Sequence, residues 1–309
     1  MALTLVEAAK LETGDVKRRA IVELFPRSSD VLQAISFTNI AGNALSYNLE
    51  ETLPGISFRG VNEAFTEDAG VINPVTENLS IAGGDLDVDR FIIETMGAGQ
   101  RSIREAMKVK ALALTWTKKF IKGDNSADPR EFDGLQVRLT GSQKIAPAAA
   151  TANGSALSLA ELDKLIDAVD NPTHLLMNKA MRRRLTTAAR TTSVGGYVTY
   201  TLDAFGRKLT NYNDLPILIV DQDATGTDIM GFTEASTSGT ATSTSIYCVS
   251  MGEGMLSGIQ NNGISVRDLG ELDTKPVWRT RVEWFTGLTL MHPKAAARLW
   301  SIGDLAVVA

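Results

Sequence analysis

A serine or cysteine nucleophile needs a base beside it, and the 309 residues offer only His174 and His292. His174 precedes the apolar run Leu175-Leu176-Met177, and His292 precedes Pro293 at an expected turn. Both settings suit a structural or surface histidine. The single cysteine, Cys248, lies within Ile246-Tyr247-Cys248-Val249, where a thiol packs as a small hydrophobe. One cysteine and two distant histidines lack a zinc-ligand spacing, and this cysteine usage fits a reducing compartment.

Asp221-Gln222-Asp223-Ala224-Thr225-Gly226 opens like a calcium loop, with oxygen-bearing side chains at positions one, three and five and glycine at six. Phe232 stands where the closing glutamate belongs, so a polar surface turn is the better reading. Asp85, Asp87 and Asp89 share one face of a strand and could gather a cation, although an acidic face awaiting a basic partner is plainer. Gly252-Glu253-Gly254 with Gly258 approximates a dinucleotide fingerprint, but the last gap is one residue too long. Arg182-Arg183-Arg184 point in different directions on a helix and form no narrow phosphate stripe. Neither cofactor nor metal is expected, and the chain is not expected to be an enzyme.

The elements that carry these residues divide into blocks. Thr4 with Glu7, and then Val16 to Phe25, predict a helical arm that ends at Pro26. From Ala44 to about Met96, short runs such as Ile56-Ser57-Phe58 and Phe91-Ile92-Ile93 read as strands between turn signals. Ten acidic side chains face two basic ones there, a net charge of −8, and the scattered apolar residues could hardly build a core. Such a segment calls for a basic partner.

Ala98 to Lys122 is the strongest helical pattern, with Ile103, Ala106, Val109, Ala113, Trp116 and Phe120 on one face and seven basic residues against Glu105. Ile145 to Ser155 reads as a linker, and Ser158-Leu159-Ala160-Glu161 as a capping box opening a helix. Strands are expected at Thr173–Met177, Pro216–Val220 and Ser245–Val249, a helix from Lys179 to Ala189, and a mobile Ser/Thr-rich loop from Thr233 to Ser245. Trp278, Thr280, Val282 and Trp284 alternate with Arg279, Arg281 and Glu283, which predicts a half-buried strand continuing to Leu290.

The balance of 31 basic and 36 acidic residues, net −5, gives no bulk attraction to nucleic acid. No apolar run is long enough for a membrane helix, and Met1 to Glu7 reaches charge too early for a signal peptide.

The order of Ser29-Asp30-Val31-Leu32, Ile40 to Ala44, Tyr47, Glu50, Leu53-Pro54, Phe58-Arg59 and Val61-Asn62-Glu63 resembles the arm and extended loop of the major capsid proteins of tailed bacteriophages, with the Hong Kong 97-type fold. Phe120-Ile121-Lys122-Gly123-Asp124, Phe132-Asp133-Gly134-Leu135, His174 to Asn178, Trp284, Gly287-Leu288 and Pro293 to Leu299 continue the resemblance. It implies an α+β fold with an N-terminal arm (1–42), an extended β-hairpin loop (43–96), a peripheral domain with a long spine helix (97–145 and 262–294) and an axial domain (146–261 and 295–309).

It further implies self-assembly into hexamers and pentamers of an icosahedral head that encloses double-stranded DNA without sequence-specific binding. Assembly would occur in the host cytoplasm, without a membrane, with scaffolding, portal and decoration proteins as further partners and the virion as destination. An encapsulin-like nanocompartment shell is the alternative. The expected subunit interface comprises Glu50, Glu51, Arg59, Glu63, Glu67, Asp68, Asp85, Asp87 and Asp89 on the loop, against Arg101, Arg104, Lys108, Lys118 and Lys119 on the helix. Some family members weld subunits through a lysine on this loop; residues 41–100 contain none, which excludes that cross-link.

Overall fold

A computed structural model describes residues 29–96, 99–148, 151–190, 198–202 and 208–308. The helical arm expected between Thr4 and Phe25 lies outside the described residues. Ser29 opens α1 (Asp30–Ala34), its hydroxyl accepting from the Leu32 amide. After β1 (Phe37–Asn39), the chain leaves the body as β2 (Ala44–Thr52) and returns as β3 (Val71–Asn78). It then enters β4 (Ser80–Asp89), α2 (Arg90–Met96) and the spine helix α3 (Gly99–Lys122). The short α4 (Leu135–Arg138) and β5 (Lys144–Ile145) lead into α5 (Leu159–Asp167), β6 (His174–Met177) and α6 (Lys179–Ala188). There follow β7 (Val198–Leu202), β8 (Lys208–Tyr212), β9 (Leu215–Ile219), β10 (Glu234–Ala235) and β11 (Ala241–Val249). Two long strands, β12 (Leu256–Leu272) and β13 (Lys275–Leu290), and then β14 (Ala296–Ile302) complete the order.

Three sheets result. The peripheral sheet runs β1-β12-β13-β4, the axial sheet runs β5-β14-β11-β6-β9-β8-β7 with β10 attached to β11, and among the described residues β2-β3 pair only with each other. The central strands β6 and β11 carry unbroken apolar runs, Leu175–Met177 and Ile246–Val249, because both their faces are covered. Leu175, Met177, Ile246 and Cys248 pack beneath α5 and α6, while Leu176, Tyr247 and Val249 join the core beneath the spine helix. Burial pushes the Cys248 thiol up to about 12, which keeps it protonated and unreactive.

The spine helix joins the peripheral sheet through an aromatic cluster. Trp116 lies 5.4 Å from Phe37, 5.8 Å from Trp284 and 5.4 Å from Phe120 between ring centroids. Each indole nitrogen donates to a buried side chain, Trp116 to Thr286 and Trp284 to Gln260, both at 3.1 Å. Gly258 has its reason here, since a Cβ at that position would collide with the Phe37 ring. Gly254, with φ +80°, serves the turn into β12. The approximate dinucleotide fingerprint is therefore packing and turn chemistry.

Several sequence readings need correction. Phe91-Ile92-Ile93 is helical, and Ile56-Ser57-Phe58 lies outside any strand. Ile103, placed by periodicity on the buried face of the spine helix, is exposed. Ser158 stands at the N-cap of α5 without making a side-chain cap, and Glu161 reaches not back to it but to the Ala148 amide, accepting at 2.6 Å. Thr233 to Ser245 is no loose loop. It contains β10 and the start of β11, with Ser243, Thr244 and Ser245 fully buried.

Candidate functional site

Among the described residues, the tip of the ribbon β2-β3 stands open. Ladder bonds from Ala44↔Asn78 to Thr52↔Val71 build the ribbon, and every residue from 52 to 74 is exposed. At the tip Ile56 and Val61 are each 92% exposed and Phe58 completely so, with Leu53 and Phe65 also largely open. Five large apolar side chains thus stand in water over one short segment. The tip is locally organised all the same. Asp68 accepts from the Gly55 amide at 2.6 Å, Glu63 accepts from the Gly60 amide at 2.8 Å, and the Arg59 guanidinium stands 5.0 Å from the Phe65 ring.

The root of the ribbon is fastened to the body. Arg138 of α4 donates through both terminal nitrogens to the two oxygens of Glu77 on β3, the Nη2–Oε2 distance being 2.7 Å. Its remaining donors reach Leu288 O at 3.0 Å and Asp133 O at 2.7 Å. The carboxylate beside it raises the Arg138 pKa despite the opposing effect of burial. Tyr47 on β2 donates its hydroxyl to Leu290 O at 3.2 Å, and burial raises its pKa.

The acidic strand β4 behaves differently from the tip. Its register with β13 sets Asp85 opposite Arg281 and Asp87 opposite Arg279. Each arginine grips its carboxylate with two bonds, at 2.6 and 2.8 Å for Asp85 and 2.6 and 2.7 Å for Asp87. These bonds hold both carboxyls below the usual aspartate range. Asp89 accepts from the Phe91 amide at 2.8 Å and caps the turn into α2. The strand face that looked ready for a cation, or for a neighbour's bases, is answered inside its own chain.

The cationic side is likewise partly committed. Arg101 is buried and bonded to Glu105 at 3.0 Å, Asp268 at 2.7 Å and Thr280 at 2.6 Å. Lys118 meets Asp223 at 2.8 Å, and Lys119 meets Glu131. Asp223 also accepts from Thr225 and Thr227, which together with Lys118 hold its carboxyl far below the ordinary range. Asp221 pairs with Lys179, so the calcium-like loop is a polar turn, and no cluster of three metal-ligating side chains exists among the described residues. Of the predicted residues, Glu50, Glu63, Glu67, Asp68, Asp89, Arg59, Arg104 and Lys108 form no ion pair among the described residues; Glu51 is in β2.

Sequence reasoning missed the open apolar face beside them: Phe91 on α2 and Ile103 and Met107 on the spine helix are all exposed. The first half of α3 is inverted, burying Arg101 and Glu105 while Ile103 and Met107 face water. The signal was present in Ile103 and Met107 at i, i+4, but the longer apolar stripe through Trp116 dominated it.

The described residues form a two-sheet body, a long spine helix and a projecting ribbon. Residues 13–160 match the family model described as major capsid protein GP7. No curated protein matches the sequence significantly. Among solved structures, the fold is similar to the holo-SrpI encapsulin complex of Synechococcus elongatus, with a TM-score of 0.67, 16% identity and coverage of 97% of this chain and 99% of that one. It is also similar to the capsid of a native GTA particle, at TM-score 0.61 and 14% identity, covering 94% and 92%. A protein of Mycobacterium phage Adephagia gives TM-score 0.61 at 14% identity, covering 90% and 91%. The chain has the Hong Kong 97-type fold shared by these shell proteins, and the capsid family model matches just under half of it.

Proposed function

We propose that the subunit acts mechanically, without catalysis, by assembling with copies of itself into hexamers and pentamers of a closed icosahedral phage head that encloses double-stranded DNA. The observation that supports this most is the ribbon tip, whose exposed Leu53, Ile56, Phe58, Val61 and Phe65 have no cover among the described residues. In this reading the tip lies on a neighbouring copy against the exposed Phe91, Ile103 and Met107. Apolar burial supplies the affinity, and the charges on either side, Glu63, Glu67 and Asp68 against Arg104 and Lys108, fix register and partner choice. Assembly in the host cytoplasm, with separate scaffolding, portal and decoration proteins, accords with it.

The buried native thiol makes a direct test clean. Ile56→Cys combined with Met107→Cys should give disulfide-linked oligomers in oxidised assemblies, while either single variant stays monomeric on denaturing electrophoresis. Identical patterns for the single and double variants would refute the contact. The encapsulin likeness over nearly the full length of both chains supports a second reading, a nanocompartment around protein cargo. The absorbance ratio of purified particles at 260 and 280 nm separates nucleic-acid contents from protein contents.

A further inference from the structure

The ribbon is a cantilever, and its geometry makes the root more consequential than its size suggests. On β3 every residue beyond Val75 toward the tip is exposed, as is the whole stretch from 52 to 74. From Val75 to Val71 the strand extends about 14 Å, and the tip continues further, at about 3.4 Å per residue. A rotation of about 15° at the root moves the start of the tip by about 4 Å, the full distance of one atomic contact. Neighbouring copies can share one contact geometry only if the root holds its angle.

Besides the Tyr47 bond to Leu290 O, little else among the described residues supplies that stiffness. Gly42, where the chain leaves β1 for the ribbon, has φ +105° with open space around it, and the Asn261 side chain donating to Gly42 O at 3.0 Å is exposed. The Arg138–Glu77 pair is a half-buried, two-bond tie. Its guanidinium fork also reaches Leu288 O and Asp133 O, so one side chain joins ribbon, sheet and α4. Lysine presents a point charge and could not make these planar contacts together. Arg138 is itself held by Phe132-Asp133-Gly134-Leu135. Phe132 enters the aromatic cluster, Gly134 donates to Gly123 O at 2.9 Å at the end of the spine helix, and Leu135 is fully buried. A Cβ on Gly134 would strike the Lys119 carbonyl and the Gly123 amide, so the turn closes directly on the helix end.

We infer that Arg138 is a positioning residue for assembly: by gripping Glu77 it fixes the direction in which the ribbon leaves the body, and hence the curvature between neighbouring copies. The inference rests on the reading that the tip docks on a neighbour, and its test separates the two. Arg138→Lys keeps the charge and loses the fork. The double variant Glu77→Gln with Arg138→Met removes both charges and leaves no buried ion unpaired. Unassembled subunits of both should remain folded, with amides of β2 and β3 exchanging hydrogen at least tenfold faster than in the parent. On assembly both should give shells of mixed diameter or open sheets by electron microscopy. Folded variants that form uniform shells of the parental diameter, or whose ribbon amides keep parental protection, would overturn the inference. Ile56→Asp with Phe58→Asp tests the docking alone: normal assembly of that variant removes the docking reading, whereas the exchange measurement still decides whether Arg138 holds the root.

Discussion

The ribbon tip and strand β4 are neighbours in the sequence and equally acidic in appearance, yet they differ in what answers them. In β4, Asp85 and Asp87 lie against Arg281 and Arg279 of the adjacent strand, and Val88 is buried. In the tip, Glu67 meets no cation among the described residues, and the apolar side chains face water. A charge count over the whole segment treats the two alike. What separates them is whether a strand of the same chain runs alongside.

The largest expected effect breaks the comparison from the tip. Ile56→Asp with Phe58→Asp should abolish assembly while leaving the thermal midpoint of the subunit within about 2 °C of the parent, because no intrachain burial is lost. Sedimentation and calorimetry on the same sample check both halves. For charges answered inside the chain the outcome is reversed. Glu234 and Arg298, buried in the axial sheet at 2.8 Å, share Ser245 as a common partner. Glu234→Ala should lower subunit stability by about 3–5 kcal/mol in denaturant unfolding, since it strands a buried guanidinium.

Strand β4 should fall between these. Asp85→Asn with Asp87→Asn should lower the thermal midpoint measurably and speed exchange along β4, with little direct effect on the tip. Acid probes the same pairs. Both aspartates have depressed pKa values in the fold, so the unfolded chain takes up protons first. Their contribution is complete above the unfolded value of about 3.9 and fades as pH falls through the lower folded values. A melting series between neutral and strongly acidic pH should show stability falling below about pH 4, and the double asparagine variant should lose less over that window. The smallest effect belongs to the tip acids. Glu63→Gln, Glu67→Gln and Asp68→Asn together should leave subunit stability unchanged and reduce the salt dependence of the assembly rate, because exposed charges are screened beyond about 8 Å.

Much of this architecture is legible in the sequence wherever a period is sustained. The spine helix and the alternation from Trp278 to Trp284 are read from spacing alone, since each has one buried stripe. Strand β12 is not legible in that way. It carries Gln260, Asn261 and Asn262 and is broken by register shifts between Asn261 and Ile264 and between Asp268 and Gly270, so its period is lost although it is the longest strand. The Ser/Thr run into β11 looks solvated in sequence. In the fold Ser243 bonds to Glu234 O and Thr244 to Met230 O, which satisfies hydroxyls that the type of residue alone would place in water. Partner identity was the other illegible quantity. Seven cations on the spine helix look available in the sequence, but Arg101 is committed to Asp268, Lys118 to Asp223 and Lys119 to Glu131.

The pairing of β12 with β13 has a consequence for force. The two strands, 17 and 16 residues long, span about 50 Å at about 3.3 Å per residue, from the aromatic core near Leu288 to the hairpin end near Leu272. Because their hydrogen bonds lie across the strand direction, a pull along this beam loads many bonds in parallel as shear. A pull across its end would open them one at a time. A particle under internal pressure would therefore be strongest where neighbouring copies draw on this hairpin lengthwise, and would yield first where they peel it.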